Sequence, residues 1–168
     1  MDLTDRLIQH DLWLTRRLLD KAQALSDGQL DAPLKGFDNE MLYESDRKTL
    51  RELLDRLVFT KEVWMAAIHG RPMPAQPDKS IAGMQQRLEA AFGEFNALVK
   101  RVRDEGLWST DFVDMLCEPP ETFTYGGMIA HVLTFSAYRR TAAIETLQRF
   151  GLADLGYGDP IEWERSLG

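Results

Sequence analysis

Cysteine is almost missing from this sequence: Cys117 is the only one. No internal disulfide can form, and such usage suits a reduced, cytoplasmic setting. No apolar run approaches the length of a membrane span, so no membrane association is expected. Positive charge is also scarce. The 20 Lys and Arg face 27 Asp and Glu, for a formal net charge of −7. Nucleic-acid backbones are held by clustered Lys and Arg, so a nucleic-acid partner is not expected. The N-terminus, MDLTDRLIQHDLW, is acidic and amphipathic, unlike a signal peptide. His10, His69 and His131 are the only histidines, which leaves few donors for a metal site. Internal repeats and low-complexity tracts are missing too.

What is present is the balance of a globular protein: 168 residues, 44% hydrophobic and 28% charged. One domain over residues 1–168 is expected, large enough to bury a core. Apolar residues recur at steps of three and four in four long segments. The first runs from about Thr4 to Leu25, with Leu7, Leu14, Leu18, Ala22 and Leu25 as its stripe. Asp11 and Thr15 fall on that stripe, His10 lies at its edge, and Trp13 points elsewhere. A turn over Gln29 to Pro33 and a loop through Gly36 follow.

The second helix starts at Thr49-Leu50-Arg51-Glu52, a capping-box pattern, and ends near His69 before Gly70-Arg71-Pro72. Leu50, Leu53, Leu54, Leu57, Trp64 and Ile68 give it a broad apolar face. Arg56 and Thr60 sit at the edge of that face. Three prolines make Arg71 to Asp78 a loop. The third helix follows Lys79-Ser80 and runs to about Glu105, with Ile81, Met84, Leu88, Ala91, Phe95, Leu98 and Val102 inward. From Trp108 to Phe123 the pattern becomes extended around Pro119-Pro120, which suggests a small hairpin.

The fourth helix, Thr124 to Gly151, organises the rest. Thr124 is a natural N-cap and Gly151 a C′ stop. Met128, His131, Phe135, Tyr138, Ala142 and Thr146 share one face, with Arg139 at its edge. That mixture is unusual for plain packing, and this face is expected to meet the core. The tail after Gly151 carries Leu155, Tyr157, Ile161 and Trp163, and is expected to pack on the bundle. Four amphipathic helices of similar length imply an all-α, antiparallel-type four-helix bundle, whose sites form between facing helices.

The stretches HDLWLTRRLLDKAQALSDGQLDAP, TLRELLDRLVFTKEVW and GGMIAHVLTFSAYRR resemble the first, second and fourth helices of the DinB-like (DinB/YfiT-like) family. The resemblance covers most of the chain and is weakest in the third helix and the tail. It implies an up-down-down-up bundle, often a homodimer. Many members bind zinc or nickel through three histidines, and some are thiol-dependent transferases or isomerases. The family's ligands are one histidine in the second helix and a His-x-x-x-His pair in the fourth. Laid on this sequence, they fall at Arg56, Phe135 and Arg139. Arginine has no lone pair to give and Phe has no donor atom. Of the longer pattern only His131 and Arg140 remain, and the Gly-Gln end is Thr141-Ala142. The resemblance therefore implies the fold and, at these positions, the loss of the metal.

Several residues remain as candidates. His131 is either a base or a histidine hydrogen-bonded at the core edge, the more ordinary state. His10 and His131 are the first choices for a relocated metal site. Arg56 and Arg139 point to a small anion, since guanidinium holds carboxylate or phosphate with paired bonds. Otherwise they pair inside the bundle, with Asp11 and then Thr15 the expected partners, because a buried cation needs one. With Phe135 and Tyr138, these residues make the expected ligand site. Cys117 lies beside Glu118, which raises a thiol's pKa, so a nucleophile is not expected there. Four tryptophans are many for one small core, so a dimer contact or coverage by the tail is expected. The reading that results is a metal-free small-ligand-binding or regulatory bundle protein. Its alternative is a thiol-dependent transferase or hydrolase, with zinc or nickel at a relocated site or with His131 as base.

Overall fold

The computed structural model describes residues 1–34, 49–75, 77–152 and 154–168. In chain order its helices are α1 (Leu3–Ala22), α2 (Asp27–Leu30), α3 (Leu50–Ile68), α4 (Ile81–Asp104), α5 (Tyr125–Arg149) and α6 (Pro160–Arg165). Strands β1 (Asp111–Asp114) and β2 (Glu121–Thr124) pair antiparallel just before α5, as the expected hairpin. The four long helices lie within a few residues of the expected spans. Their starts are set by side chains that satisfy first-turn amides left without a helical carbonyl. Thr49 Oγ1 accepts from Glu52 N at 3.2 Å, and Thr124 Oγ1 from Gly127 N at 3.0 Å. Ser80 Oγ accepts from Gly83 N at 3.0 Å. Gly151, with φ of +85°, follows the end of α5 where a left-handed residue is required. α1 begins earlier than Thr4, because Asp2 and Asp5 form a capping box. The expected turn at Gln29–Pro33 overlaps the short α2, and the expected loop through Gly36 runs beyond the described residues.

Pairs between helices give the topology. Along α1, Asp5 meets Arg103 and Arg16 meets Glu89, so α1 and α4 run antiparallel. Asp55 meets Arg87, and Arg71, just past α3, meets Glu94, so α3 and α4 run parallel. Thr60 meets Arg139 and Trp64 meets His131, so α3 and α5 are antiparallel. The order of the long helices is therefore up, down, down, up. Because α3 and α4 are parallel, the chain between them must return along the bundle. The proline-rich segment does so: it ends with Arg51 Nη1 donating to the Lys79 carbonyl at 3.2 Å, back at the start of α3. Helices α1 and α3 each pack on α4 and α5, which puts α1 and α3 on one diagonal.

The core is apolar where the stripes of α3 and α4 place it. Leu53, Leu54, Leu57, Met84, Leu88, Phe95 and Val102 are fully buried. The expected stripe of α1 loses its first member, since Leu7 is 40% exposed. The larger correction concerns α5. Met128, Ala142 and Thr146 of the expected face are buried, but His131, Phe135 and Tyr138 are exposed, and the inward face continues through Ile129, Val132, Ser136, Ala143 and Leu147. The true face is displaced from the expected one by about one residue, roughly 100° around the helix. Several residues that belong inside, Ile129, Val132, Ser136 and Ala143, are small or β-branched and attract less notice than the aromatics beside them. The tail does pack through Leu155 and Trp163, while Tyr157 and Ile161 remain exposed. No described helix is long and apolar enough to cross a membrane.

Candidate functional site

The centre of the bundle holds charge. Asp11 of α1, Lys61 of α3, and Arg139 and Arg140 of α5 are all buried, none more than 4% exposed. Lys61 Nζ lies 2.9 Å from Asp11 Oδ2 and also donates to the Leu57 carbonyl at 3.0 Å. Arg140 Nη1 donates to Asp11 Oδ1. Thr15, fully buried, donates through Oγ1 to the Asp11 backbone carbonyl at 2.7 Å. One carboxylate thus ties α1 to both α3 and α5. Ser136 Oγ and Arg140 Nε are buried without a hydrogen-bond acceptor or donor among the described residues.

The electrostatics follow from one acid serving several cations. Burial alone pushes the Asp11 carboxyl up, but Lys61 and Arg140 together hold it below the usual carboxylate range. Lys61 moves down as well. Desolvation is the main cause, and the pull of Asp11 is opposed by Arg140 and Arg139. An ion pair normally raises the lysine, so the two directions look inconsistent. They agree once the carboxylate is seen to be shared. The cations together favour Asp11 as an anion, while each discourages charge on Lys61.

This arrangement corrects the expected partnership of Arg56 and Arg139 with Asp11. Arg139 instead turns toward α3, where Nη1 donates to Thr60 Oγ1 at 3.2 Å. Its guanidinium lies 5.6 Å from the Phe135 ring centroid. Phe135 stacks on His131 with centroids 4.4 Å apart, and His131 meets Trp64 edge-on at 5.8 Å. Trp64 in turn packs at 5.6 Å on Phe123 of the hairpin. Arg56 sits one turn before Thr60 on α3, half-buried, its guanidinium 5.8 Å from the Phe59 ring. Arg56, Phe135 and Arg139 therefore flank the α3–α5 seam, and Tyr138 lies exposed beside them.

Arg56, Phe135 and Arg139 offer a divalent metal no donor atom. Among the described residues no three His, Cys, Asp or Glu side chains converge. His10 and His131 are on opposite flanks of α5: His10 is bonded to the C-terminal segment and His131 faces Trp64. His69 caps the far end of α3 and is exposed. The polar core itself already sets several cationic side chains around Asp11, and a further dication there would be repelled. His10, expected at the stripe edge, is 7% exposed, and its Nε2 lies 2.8 Å from the Gly158 carbonyl, to which it must donate. Desolvation lowers its pKa, against the raising effect of that bond. Cys117 is shifted up by burial and by Asp114, whose Oδ2 accepts from Sγ at 3.5 Å. The direction matches expectation, although Asp114 rather than Glu118 is the neighbour.

Lys61 and Arg140 are the members of the core cluster that sequence reasoning missed. A signal existed for Lys61. It stands four residues from both Leu57 and Met65, on a face where both neighbours are buried. Arg140 is masked by adjacent Arg139, because residues one apart point in directions about 100° apart.

An up-down-down-up helical bundle with a hairpin before its last helix, and a polar site between facing helices, defines the class. The chain belongs to the DinB superfamily, whose family model matches residues 12–155. No curated protein and no solved structure matches the chain.

Proposed function

We propose that this protein is a metal-independent member of the superfamily that binds a small anion at the α3–α5 seam. The observation that carries the reading is Arg139: a guanidinium buried to 2% exposure, bonded to Thr60 and lying against Phe135. It stands at a position where the family resemblance implies a metal-ligating histidine. Arg56, one turn from Thr60, stands at another. Phe135, at the third, contributes a ring face. Guanidinium forks recognise carboxylate or phosphate, and an adjacent ring favours a flat molecule. The role that follows is retention or sensing of such an anion rather than metal-assisted chemistry. His131, stacked on Phe135, walls the site.

The test has two parts. Native protein purified without a histidine tag is analysed for zinc and nickel, and well below one equivalent per chain is expected. Citrate and phosphate are then titrated and followed by amide NMR. Saturable shifts confined to α3 and α5 are expected, weakened at least tenfold by Arg56→Gln. One equivalent of tightly held metal, or shifts indifferent to Arg56→Gln, would end the proposal.

A further inference from the structure

We propose a second binding site on the opposite flank of α5, a cleft for a small apolar monocarboxylate. The cleft lies between α1, α5 and the C-terminal segment and encloses about 420 Å³. That volume falls within the range of small-molecule pockets. Leu7, Leu14, Leu133 and Ile144 give it greasy walls, and Tyr157 stands at its lip, 89% exposed. Leu7 and Tyr157 are large apolar groups that line the cleft and are left open to water. A ligand seated between them would cover both.

The polar content of the cleft selects the other end of the ligand. Arg140 forms part of the wall. Its Nη1 is committed to Asp11, but its buried Nε–H has no acceptor among the described residues. Arg140 nonetheless brings a guanidinium to the cleft wall, and a carboxylate is the ligand group that a guanidinium favours. His10 is not available as a second donor, because its Nε2 proton is given to Gly158. Asp159 is the one acid among the described lining residues. Its Oδ1 accepts from Ile161 N at 2.7 Å and Glu162 N at 2.9 Å, so its charge is directed at the start of α6. The cleft therefore has a cationic side chain in its wall, and the one acid among its described lining residues is already engaged. An apolar chain ending in a carboxylate matches that pattern. An ammonium end does not, and a hydroxyl end forfeits the charge.

This site is separate from the α3–α5 seam. Arg139 and Arg140 are adjacent, yet one is turned to Thr60 and the other to Asp11. The two proposals stand or fall separately.

The experiment uses the full chain, with octanoate, octan-1-ol and octylamine as probes in calorimetric titrations at pH 7.5. Octanoate is expected to bind saturably at one site per chain. Octanol should be at least tenfold weaker, and octylamine should not bind. Ala137→Trp places a large ring in the cleft from an exposed position on α5. It should weaken octanoate at least tenfold while leaving the circular dichroism spectrum and Tm near wild type. Thr141→Phe, also exposed and lining the cleft, serves if Ala137→Trp folds poorly. Octanol or octylamine binding as tightly as octanoate would overturn the proposal. So would uptake of many equivalents without saturation, or full octanoate affinity in a folded cleft-filling variant.

Discussion

Lys61 Nζ and Asp11 Oδ2 sit 2.9 Å apart in the middle of the bundle, and neither side chain is more than 1% exposed. The pair is not symmetric. Asp11 has a second cation in Arg140, whereas Lys61 has no second acid among the described residues. Removing the acid should therefore hurt far more than removing the lysine. Asp11→Ala leaves buried cations uncompensated and is expected to cost about 3–5 kcal/mol. Lys61→Met keeps the length of the side chain and leaves the Asp11–Arg140 pair whole, so it should stay within about 1.5 kcal/mol of wild type. Urea denaturation of both variants decides the matter, and equal costs would show that the carboxylate is not the hub.

Acid should weaken the fold in two stages. The folded His10 has a pKa below its ordinary 6.5, so the unfolded chain takes up a proton that the folded chain resists. Stability is then full above 6.5 and falls as the pH drops through that value. Asp11 works lower down: its contribution is present above 3.8 and is lost as the pH falls through its depressed folded value. Urea midpoints at pH 7.5, 6.0 and 5.0 should decline, with a shallower decline in His10→Gln. A midpoint that rises toward pH 5 would contradict the first stage.

Gly158 is held at φ +66°, and a Cβ there would lie 2.8 Å from Leu14 Cδ2 and 2.9 Å from Ile144 Cδ1. Gly158→Ala combines an unfavourable backbone region with a collision against the core. It is expected to cost about 1–3 kcal/mol and to loosen the tail. Trp163, 3% exposed, should report this as a red shift in fluorescence. An unshifted spectrum with an unchanged Tm would mean that the tail is held elsewhere.

If the seam keeps the backbone geometry that the resemblance implies, imidazoles should restore a metal. The combined change Arg56→His, Phe135→His and Arg139→His is expected to bind close to one zinc per chain. Phe135 and Arg139 are one turn apart on α5, and Arg139 already reaches α3 at Thr60. A folded triple variant that takes up no zinc in competition with a weak chelator would rule this out.

Self-association is expected through large apolar side chains left on the surface. Phe135, Tyr138 and Trp108 are 39%, 41% and 36% exposed. Light scattering at micromolar concentration should give about twice the 19.2 kDa chain mass, and Phe135→Glu should lower it. A wild-type mass near that of one chain would refute it.

The sequence made the four long helices legible because each carries caps and a clean stripe. α4 is the plainest case, since every stripe position named for it is buried. The site was harder to read. On α5 the aromatic residues drew attention to a face one step away from the buried one, because small inward residues such as Ser136 and Ala143 carry little signal. Asp11 and Thr15 were legible as a polar layer, but the partners of Asp11 were not. Choosing Lys61 and Arg140 over Arg56 and Arg139 needs the relative rotation of three helices, which no periodicity within one helix contains. The tail was legible in Trp163 and Leu155, and not in Gly158, whose role depends on residues from both α1 and α5.

The bond between His10 and Gly158 joins residues 148 positions apart. Bringing residues so far apart in sequence together costs loop-closure entropy that the contacts of the intervening helices help to offset. During synthesis the four long helices emerge before residues 157–160, which complete the cleft. That part of the cleft wall is thus made after the four helices on which it docks. A ligand that fits there would favour chains in which residues 157–160 have docked on α1 and α5, and would act as a seal on that contact.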